Sequence, residues 1–187
     1  NKGSKTYAFD NGKRAVQEHL ARLGIDAAVH DGPVLGTYQV VHHLRTQPLV
    51  SVIVPNKDHP EMLARCVDSL SKGSYANYEL LIVENGSTRP VTFALYEKLR
   101  GHPHVRIVEW TKPFNYAAVN NFAASKANGD LLLFLNNDVE AINPDWLEAM
   151  VKLAVQAGVG AVGAETVVYS QLTLADVHYV EDSVVAV

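Results

Sequence analysis

The 187-residue sequence predicts an α/β protein built on a mostly parallel sheet with helices on both faces, and three observations carry that reading. Short β-branched or leucine-rich runs alternate with stretches whose apolar residues recur at helical spacing. The run Leu131-Leu-Leu-Phe-Leu135 is apolar without a break, as in a strand covered on both faces. Polar clusters follow the apolar runs, at the carboxyl ends where an open parallel sheet binds its ligands.

Residues 1–47 differ in pattern from the remainder of the chain. Ala15, Val16, Leu20 and Leu23 recur at helical spacing over residues 13–23, and Gly24 supplies a stop. Asp31-Gly32-Pro33 marks a turn, and residues 37–44 are β-branched and aromatic enough for a strand. A helix and a strand are too little for a domain. The segment therefore reads as a short N-terminal helix-strand arm leading into a main domain of residues 48–187.

In the main domain, residues 49–54 form a first buried strand ended by Pro55. Asp58 and Glu61 resemble a capping box ahead of a helix with Met62, Leu63, Cys66, Val67 and Leu70 on its apolar face. Residues 78–83 give the second strand, and Val91, Leu95 and Leu99 mark the next helix. Residues 105–110 form the third strand, followed by a helix over residues 115–127. Residues 130–135 read as a fourth, central strand. Asn143-Pro144 reads as cap and first residue of a helix carrying Trp146, Leu147, Met150, Val151 and Ala154, with a fifth strand over residues 159–164.

Composition narrows the function. A formal charge of -4 leaves no broad basic footprint, so nucleic acid is not an expected partner. The apolar run 131–135 is far short of the roughly 20 residues needed to cross a bilayer. The start Asn-Lys-Gly-Ser-Lys-Thr-Tyr carries no secretory signal, so a cytoplasmic location is expected, extending to the inner face of the membrane. The absence of an initiator Met raises the expectation of a segment from a longer protein. Cys66 stands alone, which excludes a disulfide framework and a cysteine-rich zinc site, and it reads as core. Tyr116 and Trp146 also read as core, and His102-Pro-His104 as surface loop.

The chemistry is expected after the strands, at Pro55-Asn56-Lys57, Glu84-Asn85-Gly86-Ser87, Lys112 and Asn136-Asn137-Asp138-Val139-Glu140. Taken singly these have plain explanations; Asn85-Gly86 is a common turn dipeptide, and Asn136 to Asp138 suits a strand end. Placed together on four strand ends, they read as one site. No Gly-x-Gly-x-x-Gly follows the first strand and no Gly-Lys-Ser/Thr loop is present, so the first loop offers a diphosphate no backbone cradle. A carboxylate-held Mg²⁺ or Mn²⁺ is the alternative means of neutralising a diphosphate, since such hard ions take oxygen ligands. Asp138 fits that need, with Asn137 and Glu140 assisting.

The motifs Leu49-Val-Ser-Val-Ile-Val-Pro55, Tyr78-Glu-Leu-Leu-Ile-Val-Glu-Asn-Gly-Ser87 and Leu132-Leu-Phe-Leu-Asn-Asn-Asp138, in this order and spacing, closely resemble family 2 glycosyltransferases. The resemblance spans residues 48 to 165, and the arm is similar to the leader of large bacterial polysaccharide and O-antigen assembly transferases. It implies a GT-A fold, with a Rossmann-like sheet and an acceptor half that is incomplete in this sequence. Pro55 and Asn56 would then line the nucleobase and ribose pocket, Glu84 and Asn85 would contact the base, and Asn121 would lie beside the donor. Asn137 and Asp138 fall on the family's metal motif, with Asp138 as its last carboxylate. Glu84 stands where Asp is commoner, and the motif keeps one Asp rather than two.

The implied activity is transfer of a sugar from a nucleoside diphosphate donor, a UDP-sugar first, to a hydroxyl of a glycan or lipid-linked acceptor. It would be inverting and metal-assisted, within polysaccharide or cell-envelope glycan synthesis, with peripheral membrane association through the parent protein. The catalytic base is unassigned; Glu181-Asp182 has the composition but arrives early. Two rivals stand beside this reading. One is a nucleotide-sugar-binding module without catalysis. The other is a sugar-phosphate nucleotidyltransferase, which would need a Gly-rich basic loop where this sequence has Pro55-Asn56-Lys57-Asp58.

Overall fold

Two runs of the sequence bury nearly every residue, and they form the middle of the sheet: β3 (Val50–Asn56) and β4 (Tyr78–Glu84). The computed structural model describes residues 6–163, together with the backbone of residues 166–167 and 179–180. The chain divides into two compact units, Asn1–Thr46 and Gln47–Val187.

In the first unit, helix α1 (Thr6–Arg22) covers an antiparallel hairpin of β1 (Ala27–Asp31) and β2 (Tyr38–His42). Leu20, Ala27 and Val29 form its small core, with Val16, Ile25, Tyr38 and Val40 packed around them. Gly24 takes a φ of 69°, the left-handed conformation that ends a helix cheaply only for glycine. The sequence pattern anticipates β2 but not β1, because Ala27-Ala-Val-His-Asp31 is short and alternates weakly.

In the second unit the strands run in the order β5-β4-β3-β6, all parallel, with β5 at Val105–Glu109 and β6 at Leu131–Phe134. Among the described residues β6 is therefore an edge strand, not the central one its unbroken apolarity suggested. Ile53, Leu81 and Val83 pack against Val119 and Ala123 of α4 (Tyr116–Ala124) on one face. Alternation sends Val52, Val54, Leu80 and Ile82 to the other face, the side of α3 (Pro90–Arg100), whose Tyr96 reaches Asn56 and Glu84 of the same parity. Helix α2 (Pro60–Ser71) packs on α3 and buries Leu63, Cys66 and Leu70. Fully burying each such aliphatic side chain contributes about 1.5–3 kcal/mol.

Several local expectations are corrected. Asp58 and Glu61 do not cap α2; its N-cap is His59, without a side-chain bond, and Pro60 supplies the preset φ of a first turn. Asp58 instead accepts hydrogen bonds from the Thr88 and Arg89 N–H groups at 3.0 and 2.9 Å, at the start of α3. Helix α3 buries Thr92, Tyr96 and Leu99, one residue round from the Val91, Leu95 face, because two of its inward residues are polar. Helix α5 (Trp146–Ala154) begins after Asp145, so Asn143-Pro144 lies in the preceding turn. Residues 159–163 hold one isolated bridge at Val162 instead of a strand, and Ala164 lies outside the described residues. Tyr116 is 46% exposed rather than core. Thr166–Val167 pairs antiparallel with Tyr179–Val180. Among the described residues, no helix is long and apolar enough to cross a membrane.

Candidate functional site

Parallel pairing brings the carboxyl ends of the four strands to one rim. Backbone register sets Asn56 beside Glu84, and Glu84 beside Glu109. β3 and β6 pair as far as Ile53 with Phe134. Continued past the last backbone pair, that register puts Asn56 opposite Asn137, and there the side chains take over. The Asn137 Nδ2 donates to Asn56 Oδ1 at 2.7 Å. The Asn85 N–H donates to the Asn56 carbonyl at 3.0 Å. Asn56, Asn85 and Asn137 therefore meet, with Asp138 next in the chain.

Asn56 is 2% exposed and Glu84 and Asn85 are also buried, so their polar atoms require partners. Tyr96 serves two of them, Asn56 and Glu84. The Asn56 Nδ2 donates to the Tyr96 oxygen at 2.7 Å and to the Asp58 carbonyl at 3.0 Å. The Tyr96 hydroxyl donates to Glu84 Oε2 at 2.6 Å. The Ser87 hydroxyl donates to the same oxygen at 2.6 Å, and the Ser87 N–H donates to Oε1. Burial, then the bond to Glu84, push the Tyr96 hydroxyl up to about 12, so it remains a donor through the physiological range.

The Glu84 carboxylate is thus engaged inside the protein by Ser87 and Tyr96. The outward part of its loop is the Asn85-Gly86-Ser87 turn, with Gly86 at a φ of 70°. The Asn85 Nδ2 donates to the Trp110 and Lys112 carbonyls at 3.3 and 3.4 Å, tying this loop to the one after β5. Pro55 is half-buried on the same strand end. Asn121 lies on the exposed side of α4, whereas its neighbour Asn120 is buried. The Asn120 Nδ2 donates to the Tyr116 carbonyl at 3.0 Å, and its Oδ1 has no partner among the described residues.

The loop after β6 rests on α2. The Cys66 thiol donates to the Asn136 carbonyl at 3.7 Å, the Ala141 N–H to Ser69 Oγ at 3.0 Å, and Arg65 pairs with Glu140 at 2.7 Å. Burial, then the negative charges of Asp138 and Glu140, push the Cys66 thiol up to about 12. Glu140 is committed to Arg65. Asp138 is exposed and forms no ion pair or hydrogen bond with any described residue.

That donor set bears directly on a metal. Among the described residues, no group of three His, Cys, Asp or Glu comes together to hold an ion unaided. One available carboxylate suits Mg²⁺ or Mn²⁺ whose remaining positions are filled by phosphate oxygens and water. The residues present fit such an ion.

Sequence reasoning found the strand-end cluster but missed Tyr96, Ser69 and Arg65. Tyr96 had a signal: it lies four residues after Thr92 and three before Leu99, on one helical face. The anchors on α2 had none, because their partners lie about seventy residues away.

Residues 51–181 match the family model described as Glycosyl transferase family 2. The chain is 48% identical over 155 residues to the O-antigen biosynthesis protein RfbC of Myxococcus xanthus, covering 82% of this chain and 12% of that protein. It is 41% identical over 165 residues to the uncharacterized protein y4gI of Sinorhizobium fredii, covering 87% of this chain and 18% of that one. The chain thus spans less than a fifth of either relative. Among solved structures it is similar to the mannosyltransferase PcManGT of Pyrobaculum calidifontis, solved in complex with GDP-Man and Mn²⁺. The TM-score is 0.59 at 23% identity, over 84% of this chain and 44% of that one, a likeness of fold.

Proposed function

Since this chain belongs to glycosyltransferase family 2, with the GT-A α/β fold, we propose that its strand-end rim binds a nucleoside diphosphate sugar. The sugar would pass to a hydroxyl of a glycan or lipid-linked acceptor in polysaccharide or cell-envelope glycan synthesis. The observation that carries this reading is the Asn137 to Asn56 hydrogen bond of 2.7 Å. It joins the loop bearing the uncommitted carboxylate of Asp138 to the loops expected to contact the nucleotide. The 48% identity to a protein named for O-antigen biosynthesis supports the glycan context.

In the proposed mechanism, the Asn85-Gly86-Ser87 turn and the Asn56 strand end receive the nucleoside, a uridine first by the sequence resemblance. Asp138, with Asn137 beside it, holds Mg²⁺ or Mn²⁺. When bound, that ion supplies positive charge against the departing diphosphate. Tyr96 and Ser87 keep the Glu84 carboxylate fixed, so the loop after β4 is set before ligand arrives and little ordering cost remains. An inverting transfer requires a base on the acceptor hydroxyl. Glu181-Asp182, the sequence candidate, lies outside the described residues. Action at the inner face of the membrane, on a lipid-linked acceptor, completes the proposal.

The test is UDP and GDP binding with and without Mn²⁺, in the full chain and in Asp138→Ala. Mn²⁺ is expected to tighten binding in the wild type and to have no effect in the variant. Undiminished, metal-independent binding in Asp138→Ala would remove Asp138 from its role, and a chain that binds neither nucleotide would end the donor-site reading.

A further inference from the structure

Tyr96 is 1% exposed, on the interior side of α3. A continuous run of hydrogen bonds passes through it. At one end Ser87, in the loop after β4, donates to Glu84 Oε2 at 2.6 Å. The Tyr96 hydroxyl donates to the same oxygen at 2.6 Å and accepts from Asn56 Nδ2 at 2.7 Å. Asn56 Oδ1 accepts from Asn137 Nδ2 at 2.7 Å, one residue from Asp138.

The run has a fixed direction. A carboxylate only accepts, so the tyrosine must donate to it, which leaves the phenol oxygen to accept from the Asn56 NH₂. The Asn56 carbonyl oxygen is then the group presented to Asn137. Without the phenol oxygen, Glu84 loses a charge-assisted bond and the Asn56 amide loses the contact that selects its orientation.

Resting on the donor-site reading above, we infer that Tyr96 is a positioning residue that couples the nucleotide-contacting turn to the metal carboxylate Asp138 while touching neither ligand. The nucleotide steadies one end of the run and the cation the other, so each favours the arrangement the other needs.

The readout is the factor by which Mn²⁺ tightens UDP and GDP binding to the full chain, measured with the thermal midpoint. Tyr96→Phe is expected to reduce that factor at least about 5-fold, the lower end of ordinary coupling between sites. Asn137→Ala should reduce it similarly, and the double variant should lose little more, because both cut one run. A tyrosine that only fills space would lower the midpoint and leave the factor unchanged. Should Tyr96→Phe not fold, Ser87→Ala weakens the run at its other end by removing the hydroxyl bond to Glu84 while leaving the N–H bond, and should also lower the factor. Wild-type metal dependence that survives Tyr96→Phe, or Ser87→Ala in its place, overturns this inference alone, as do additive losses in Tyr96→Phe and Asn137→Ala. A wild-type chain that binds no nucleotide overturns it together with the donor-site reading.

Discussion

Asn56 and Asn137 face each other amide to amide at 2.7 Å, three residues beyond the last backbone pair of β3 and β6. The bond extends the sheet register into the loop that carries Asp138. Asn137→Ala deletes the donor and leaves the buried Asn56 Oδ1 unpaired, at a cost of about 1–3 kcal/mol. Urea unfolding should show a lower midpoint at unchanged slope. An unchanged midpoint would mean that the amide oxygen finds another donor and that the register argument is wrong.

At the opposite end of the sheet, the constraint is steric. Gly129 lies against β3, where an added Cβ would fall 2.6 Å from the Ser51 backbone nitrogen and 2.7 Å from the Leu49 carbonyl oxygen. Both are backbone atoms at or just before the start of β3 and cannot swing aside. The Gly129 N–H also donates to Ser51 Oγ at 2.8 Å. Gly129→Ala should therefore destabilise the chain by about 1–3 kcal/mol, as overpacking does. Retention of the wild-type denaturation midpoint would show that β6 can shift away from β3.

Beside Gly129, Glu79 gives the fold an acid sensitivity. Burial opposes its charge, yet bonds from the Ser51 hydroxyl at 2.6 Å, the Asn128 N–H at 2.6 Å and Nδ2 at 2.9 Å, and Arg106 at 3.1 Å outweigh it. They hold the carboxyl below its usual 4.5. A carboxylate whose folded value is depressed stabilises the native state fully above the unfolded value. That contribution is lost as pH falls from about 4.5 through the lower folded value. Glu79→Gln should lower stability near pH 7 and flatten its decline below pH 4.5. An acid limb as steep as wild type would assign the sensitivity to other carboxylates.

The strands and helices of the second unit were legible because burial on two faces forces long apolar runs and one-sided burial forces helical spacing. What failed was local logic applied to distant partners. Asp58 looked like half of a capping box with Glu61, but its acceptor oxygens serve N–H groups thirty residues on, at the head of α3. Counting apolar residues misplaced the inward face of α3, since Thr92 and Tyr96 are polar in composition and buried in fact. An unbroken apolar run made β6 look central, though among the described residues it is an edge. Asn56, Asn85, Asn137 and Asp138 were readable because a parallel sheet sends every strand end to one rim. Tyr96 was not, because its role depends on two side chains meeting it from different strands.

Cys66 reports on the Asp138 loop from beneath. It is fully buried on α2, its thiol contacts the Asn136 carbonyl, and burial with the charges of Asp138 and Glu140 pushes it up to about 12. The nucleophile in alkylation is the thiolate, so a shift from the usual 9.0 to this value cuts the reactive fraction near neutral pH roughly a thousandfold. Burial adds a barrier to approach. Iodoacetamide should therefore leave native Cys66 unmodified over times that fully label the urea-unfolded chain. Protection should fall when Arg65→Ala removes the Glu140 anchor and lets the loop lift from α2. Native labelling at the rate of an unfolded cysteine would show that the loop does not rest on this helix, and the fixed placement of Asp138 would fall with it.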